Sequence, residues 1–155
     1  LRQNDTRLVL VGKKDYFYKR LKKKVGEMKL SEKVIFLENV TDQELFGLYK
    51  NAMALVMPSL MEGFGLPAIE AMANKCLVLA SDIPALKETC GNAALYFNPL
   101  NVNQLSDKLN MITSHTTEYG GLEELRKKGI SRAKFFSWQK MARETLRVYE
   151  SCVGR

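Results

Sequence analysis

Two glutamates, Glu62 and Glu70, stand eight positions apart around the run Gly63-Phe64-Gly65-Leu66-Pro67. Glycines let the backbone approach a ligand closely, and the first amides of a helix have no partner within it, so a glycine-bearing loop that opens a helix draws anionic oxygens. Carboxylates repel phosphate but accept bonds from hydroxyls. Amides for phosphate beside acids for hydroxyls describe a nucleotide-sugar. Glu62 falls in the loop and Glu70 in the first turn or so of the helix, so both carboxylates are expected to face one cleft at different depths.

The elements that must position this loop are legible as alternating patterns. Apolar runs rich in β-formers predict strands over residues 8–11, 34–37, 54–57, 77–80 and 94–97. Segments with helical period lie between and after them, over 16–28, 42–52, 67–74, 84–89, 102–112, 119–135 and 138–152, and this alternation predicts a parallel sheet covered by helices. Thr41 and Glu44 are spaced as a capping box ahead of Leu45, Leu48, Tyr49 and Ala52. Pro67 suits a first helical turn, where its missing N–H costs nothing, and Ser137 suits an N-cap. No repeat or linker interrupts the chain, so residues 1–155 read as a single α/β domain.

The run from Glu62 to Pro67, followed by Ile69-Glu70-Ala71-Met72-Ala73, resembles the E-x7-E signature of the retaining glycosyltransferases of family four, also called group one. Pro58-Ser59, Val9-Leu10-Val11-Gly12, residues 34–37 with Val40, residues 78–82 and 94–99, and Phe136-Ser137-Trp138 look like the same family. The resemblance implies a Rossmann-like, three-layer α/β/α domain with a parallel sheet, the C-terminal half of a GT-B fold, binding a nucleoside-diphosphate sugar for hexosyl transfer. It implies Glu62 as the catalytic-site acid on the donor sugar and Gly63, Phe64, Gly65 and Leu66 as the loop that holds sugar and diphosphate. Glu70 is implied as acceptor for the ribose hydroxyls and Val40 as a backbone contact to the nucleobase. No metal or other cofactor is implied, since amides and cations stabilise the leaving diphosphate in this fold, whether by front-face or double-displacement chemistry.

Departures from the family carry their own expectations. The Arg and Lys that grip the diphosphate precede the strand that starts here at Leu8, and neither Arg2 nor Arg7 reproduces their spacing. The acceptor-binding N-terminal domain has no counterpart, so the chain reads as a truncated C-terminal domain, inactive alone. Asn74-Lys75-Cys76 stands where relatives carry a cysteine and a glycine, which leaves that turn open.

Two other classes compete with the transferase. Gly63, Gly65 and Ala68 also fit an NAD fingerprint with Asp82 as its ribose acid, but five residues separate Met57 from Gly63, whereas that fingerprint turns directly out of its strand. A non-catalytic nucleotide-sugar or protein-binding module remains the principal alternative. Gly12-Lys13-Lys14 lacks the first glycine and the Ser/Thr of a P-loop, and His115 reads as a surface residue.

Charge is lopsided. The chain carries +7 overall, and nine basic residues between Lys13 and Lys33 face only Asp15, Glu27 and Glu32. Leu21, Val25 and Met28 recur among them as the buried stripe of a helix, whose basic side is either a solvated face or a peripheral contact with an anionic membrane. No zinc-finger, RNP or stacking motif supports nucleic acid as a partner. The acceptor is expected to be a glycan, lipid or small molecule. Three cysteines, odd in number and without CxxC spacing, suit a reducing cytoplasm, with membrane contact at its inner face. No run reaches the ~18 apolar residues of a membrane span.

Overall fold

The computed structural model describes residues 6–114 and 120–153. His115 and Arg2 lie outside them. The chain divides into two compact units, Leu1–Leu45 and Phe46–Arg155.

In the first unit, β1 (Leu8–Val11) and β2 (Val34–Leu37) pair in parallel, Leu8 opposite Val34 and Val11 opposite Leu37. The helix α1 (Tyr16–Glu27) connects them, and the Asp15 side chain caps it by accepting from the Tyr18 amide at 2.9 Å. The Leu30 amide donates to Val25 O and the Lys29 amide to Gly26 O, with Lys29 at φ +58°, which closes the helix in a Schellman turn. The expected buried stripe is narrower than Leu21, Val25 and Met28. Val25 is buried, while Leu21 is 43% and Met28 58% exposed. Tyr18, two turns before Val25, packs edge-on against Phe36 at 5.2 Å instead. Leu21 and Met28 sit about 40–60° round the helix from Val25, and two four-residue strands offer too little surface to reach them.

The capping box forms as its spacing predicts. The Thr41 amide donates to Glu44 Oε2 at 2.8 Å and the Glu44 amide to Thr41 Oγ1 at 3.3 Å, at the head of α2 (Asp42–Asn51). These bonds hold the Glu44 carboxyl below its usual range. Leu45, Leu48 and Tyr49 are at least partly covered; Ala52, just past the helix, is exposed.

The second unit holds β3 (Ala54–Met57), β4 (Leu77–Ser81) and β5 (Leu95–Phe97), parallel and in that order. Around them lie α3 (Leu66–Ala73), α4 (Pro84–Cys90), α5 (Val102–Thr113), α6 (Gly120–Lys134) and α7 (Trp138–Val153). Every residue of β4 is buried, so both faces of this central strand are covered, as a near-continuous apolar run requires. Leu77, Leu79, Phe97 and Ile112 form the core, with Leu105, Leu122 and Leu125 packed on it. Gly129 lets α6 approach α3 closely: a Cβ there would meet Met72 Cγ at 3.1 Å. Cys76 and Cys90 are core residues, and burial pushes the Cys90 thiol up to about 11. The Ser137 hydroxyl caps α7, accepting from the Lys140 amide at 3.1 Å.

Strand and helix positions follow the sequence patterns to within a residue or two. Strand partnership does not: among the described residues the ladders form two parallel sheets, β1-β2 and β3-β4-β5, rather than one. An apolar run marks a strand but carries no information about which strand it pairs with.

At the end of α3 the Cys76 amide donates to Ala71 O and the Lys75 amide to Met72 O, a second Schellman turn. Lys75 occupies its left-handed position at φ +63°, a place that favours glycine. The departure at Asn74-Lys75-Cys76 therefore forms a regular helix-ending turn with lysine in the position that favours glycine.

Candidate functional site

Local contacts draw the loop that leaves β3 at Met57 into shape. The Ser59 hydroxyl donates to Glu62 Oε1 at 2.7 Å, closing the first half of the loop on itself and fixing the carboxylate. Gly65 is the N-cap of α3 at φ +86°, and a Cβ on it would stand 2.6 Å from Leu86 Cδ2. Its glycine identity is thus dictated by backbone conformation and by Leu86. Gly63 is different: a Cβ there would meet open space. Of the two glycines expected to admit a ligand, the fold itself needs Gly65 as a glycine and places no such demand on Gly63.

Phe64 lies between them, partly exposed, with its ring edge-on to Phe136 at 5.2 Å and its carbonyl accepting from Thr89 Oγ1 at 2.5 Å. The amides of Gly63, Phe64 and Gly65 donate to no acceptor among the described residues. Leu66 begins the helix, where amides lack an intrahelical partner, and Pro67 has no N–H to leave unsatisfied. Partial positive charge therefore gathers at the loop, where an anion would be favoured.

Glu70 sits in the second turn of α3, half-buried, and its Oε2 accepts from the Tyr49 hydroxyl at 3.1 Å. Tyr49 is 7% exposed. Burial first, and then the Glu70 charge and hydrogen bond, push its phenol well above the ordinary range, so it remains a donor. Glu62, Gly63, Phe64, Gly65, Leu66 and Glu70 all lie in one stretch of the second unit. Val40 belongs to the first unit, half-buried between β2 and α2, directly after Asn39 at φ +51°.

Ser59, Tyr49 and Thr89 hold the site residues Glu62, Glu70 and Phe64, and no sequence motif singles out Tyr49 or Thr89. Only Ser59, three residues before Glu62, carried a local signal. Asp82, the ribose acid of the dinucleotide reading, is paired with Lys87 Nζ at 2.6 Å.

A parallel α/β unit whose strand runs through a loop of free amides into a helix is Rossmann-like, and the solved structures that share this fold are GT-B glycosyltransferases. A sucrose-phosphate synthase from Thermosynechococcus elongatus shares it, with a TM-score of 0.81 and 29% identity over 96% of this chain and 39% of that one. Residues 1–134 match the family described as glycosyl transferases group 1, and the chain belongs to that family. The O-antigen chain mannosyltransferase RfbU of Salmonella typhimurium is 39% identical over 122 residues, 72% of this chain and 34% of that protein. The MMP alpha-(1->4)-mannosyltransferase of Mycolicibacterium hassiacum is 36% identical over 137 residues, 86% of this chain and 33% of that protein. The chain thus spans about a third of the length of these relatives.

Proposed function

We propose that this chain is the C-terminal, donor-binding half of a retaining family-four glycosyltransferase that moves a hexose from a nucleoside diphosphate to a glycan, lipid or small-molecule acceptor. The observation that carries the reading is the loop from Glu62 to Glu70, whose free amides lie between two carboxylates each held by a neighbouring hydroxyl. In this reading Glu62 accepts from donor-sugar hydroxyls near the reacting carbon. The 63–66 amides hold the diphosphate, and Glu70 binds the ribose. Negative charge grows on the leaving diphosphate in the transition state, and preorganised amides stabilise it without reorganising. No metal ion takes part in this account. Mannose is the first hexose to test, because both relatives described above are named as mannosyltransferases.

The experiment is a donor screen on the full-length protein with uridine, guanosine and adenosine diphosphate sugars, with and without chelator, following nucleotide release and sugar transfer. Transfer from one donor that survives chelation supports the reading. Binding without any transfer or hydrolysis would favour a non-catalytic nucleotide-sugar module.

The partner proposed for α1 is an anionic membrane. Phe17, Leu21 and Met28 are exposed on one side of the helix beside Arg20 and Lys24, and exposed apolar residues among cations suit a bilayer surface better than a purely polar polyanion. No helix among the described residues is long and apolar enough to cross a membrane, so such contact would be peripheral.

A further inference from the structure

We propose that Thr89 and Arg132 are positioning residues for the 63–66 loop, setting the direction in which its amides point; the inference deepens the donor-site reading and rests on it. The contacts close into a ring. Thr89, 2% exposed, donates from Oγ1 to the Phe64 carbonyl at 2.5 Å. The Thr89 carbonyl in turn accepts from Arg132 Nε at 2.8 Å, and the neighbouring Glu88 carbonyl accepts from a terminal nitrogen of the same guanidinium. That guanidinium lies over the Phe136 ring, 5.0 Å from its centroid, and Phe136 meets the Phe64 ring edge-on. The backbone and the side chain of Phe64 are thereby held from two directions by α4 and by the end of α6.

The consequence for the loop follows from peptide geometry. The Phe64 carbonyl and the Gly65 N–H belong to one planar peptide unit, and no peptide bond among the described residues is cis. In a trans unit the two groups point in opposite directions. Pinning the carbonyl toward Thr89 therefore aims the Gly65 N–H away from α4, where it has no acceptor among the described residues. Released from Thr89, the same peptide plane could rotate and turn its carbonyl oxygen toward the diphosphate, replacing attraction with repulsion. Arg132 keeps Thr89 in place by satisfying two last-turn carbonyls of α4 that helix geometry leaves unpaired. Its planar fork spans both carbonyls, which the single point charge of a lysine does not.

The test compares Thr89→Val, which keeps shape and loses the donor, with Thr89→Ser, which keeps the hydroxyl, in the full-length protein; Arg132→Lys provides an independent second route. Hydrogen exchange of the 63–66 amides is read beside kcat and donor KM. The expected result for Thr89→Val is faster loop exchange and a kcat at least tenfold lower, with Thr89→Ser within about twofold of wild type and Arg132→Lys intermediate. A purely structural role would shift the melting temperature of the variants and leave kcat per folded molecule unchanged. Loop exchange or kcat within twofold of wild type in both Thr89→Val and Arg132→Lys would overturn the proposal. Failure of the wild-type protein to bind any nucleotide sugar overturns the donor-site reading instead, and the proposal with it, while the exchange data still report whether Thr89 orders the loop.

Discussion

Tyr49 donates its phenol hydroxyl to Glu70 Oε2 at 3.1 Å, from a side chain that is almost completely buried. The bond fixes the Glu70 carboxylate and leaves its other oxygen without a partner among the described residues. Tyr49→Phe should weaken nucleotide binding several-fold by freeing Glu70 to rotate, with little change in kcat at saturating donor. The phenol also predicts a pH dependence. Its folded pKa lies above the unfolded value of ~10, so the stabilisation is complete below that pH and is lost as pH rises beyond it. Wild-type stability should fall more steeply above about pH 10 than that of Tyr49→Phe, as measured by denaturant titration across pH 8–11.

The two loop glycines separate folding from binding. Gly65→Ala meets both a left-handed φ and Leu86, and should destabilise by about 2 kcal/mol or more. Gly63→Ala enters open space and should leave the melting temperature nearly unchanged while lowering donor affinity. Calorimetric melting beside donor titration reads both. Equal destabilisation by the two substitutions would contradict the assignment.

Lys75 holds a left-handed conformation at the end of α3. Replacing it with glycine removes a cost of roughly 1 kcal/mol, and part of that gain is offset by the freer unfolded chain. Lys75→Gly should raise the denaturation midpoint modestly and leave donor binding untouched; a lower midpoint would show that the lysine side chain contributes more than its backbone costs.

The exposed apolar side of α1 sits among cations. Vesicles containing acidic lipid should bind the protein, and binding should weaken as salt shortens the ~10 Å screening length of 0.1 M solutions. Sedimentation with neutral vesicles is the control. Equal binding to both, or none to the acidic ones, would leave α1 as a solvated helix face.

What the sequence made legible, and what it hid, divides by distance along the chain. The Thr41–Glu44 box, the Ser137 cap and the Pro67 helix start are local signals, readable because each bond closes within three or four residues. The loop between Glu62 and Glu70 was legible for the same reason. Tyr49 reaches Glu70 across 21 positions, Thr89 reaches Phe64 across 25, and Arg132 reaches Thr89 across 43. No spacing rule announces such pairs, because they form only once strands and helices have packed. The exposure of Leu21 and Met28 was hidden likewise: period shows where a helix could bury a stripe, and the partner surface decides how much of it is covered.

The central claim is that Glu62 and Glu70 serve one donor in two ways, and paired steady-state kinetics and nucleotide titrations of Glu62→Gln and Glu70→Gln in the full-length protein test it most directly. A charge-assisted bond in a partly dry site is worth ~1.5–3 kcal/mol, roughly ten- to hundredfold. Glu62→Gln should lose that factor in kcat while binding the nucleoside diphosphate nearly as wild type does. Glu70→Gln should lose it in nucleotide affinity. Wild-type kinetics and affinity in both variants would contradict the account.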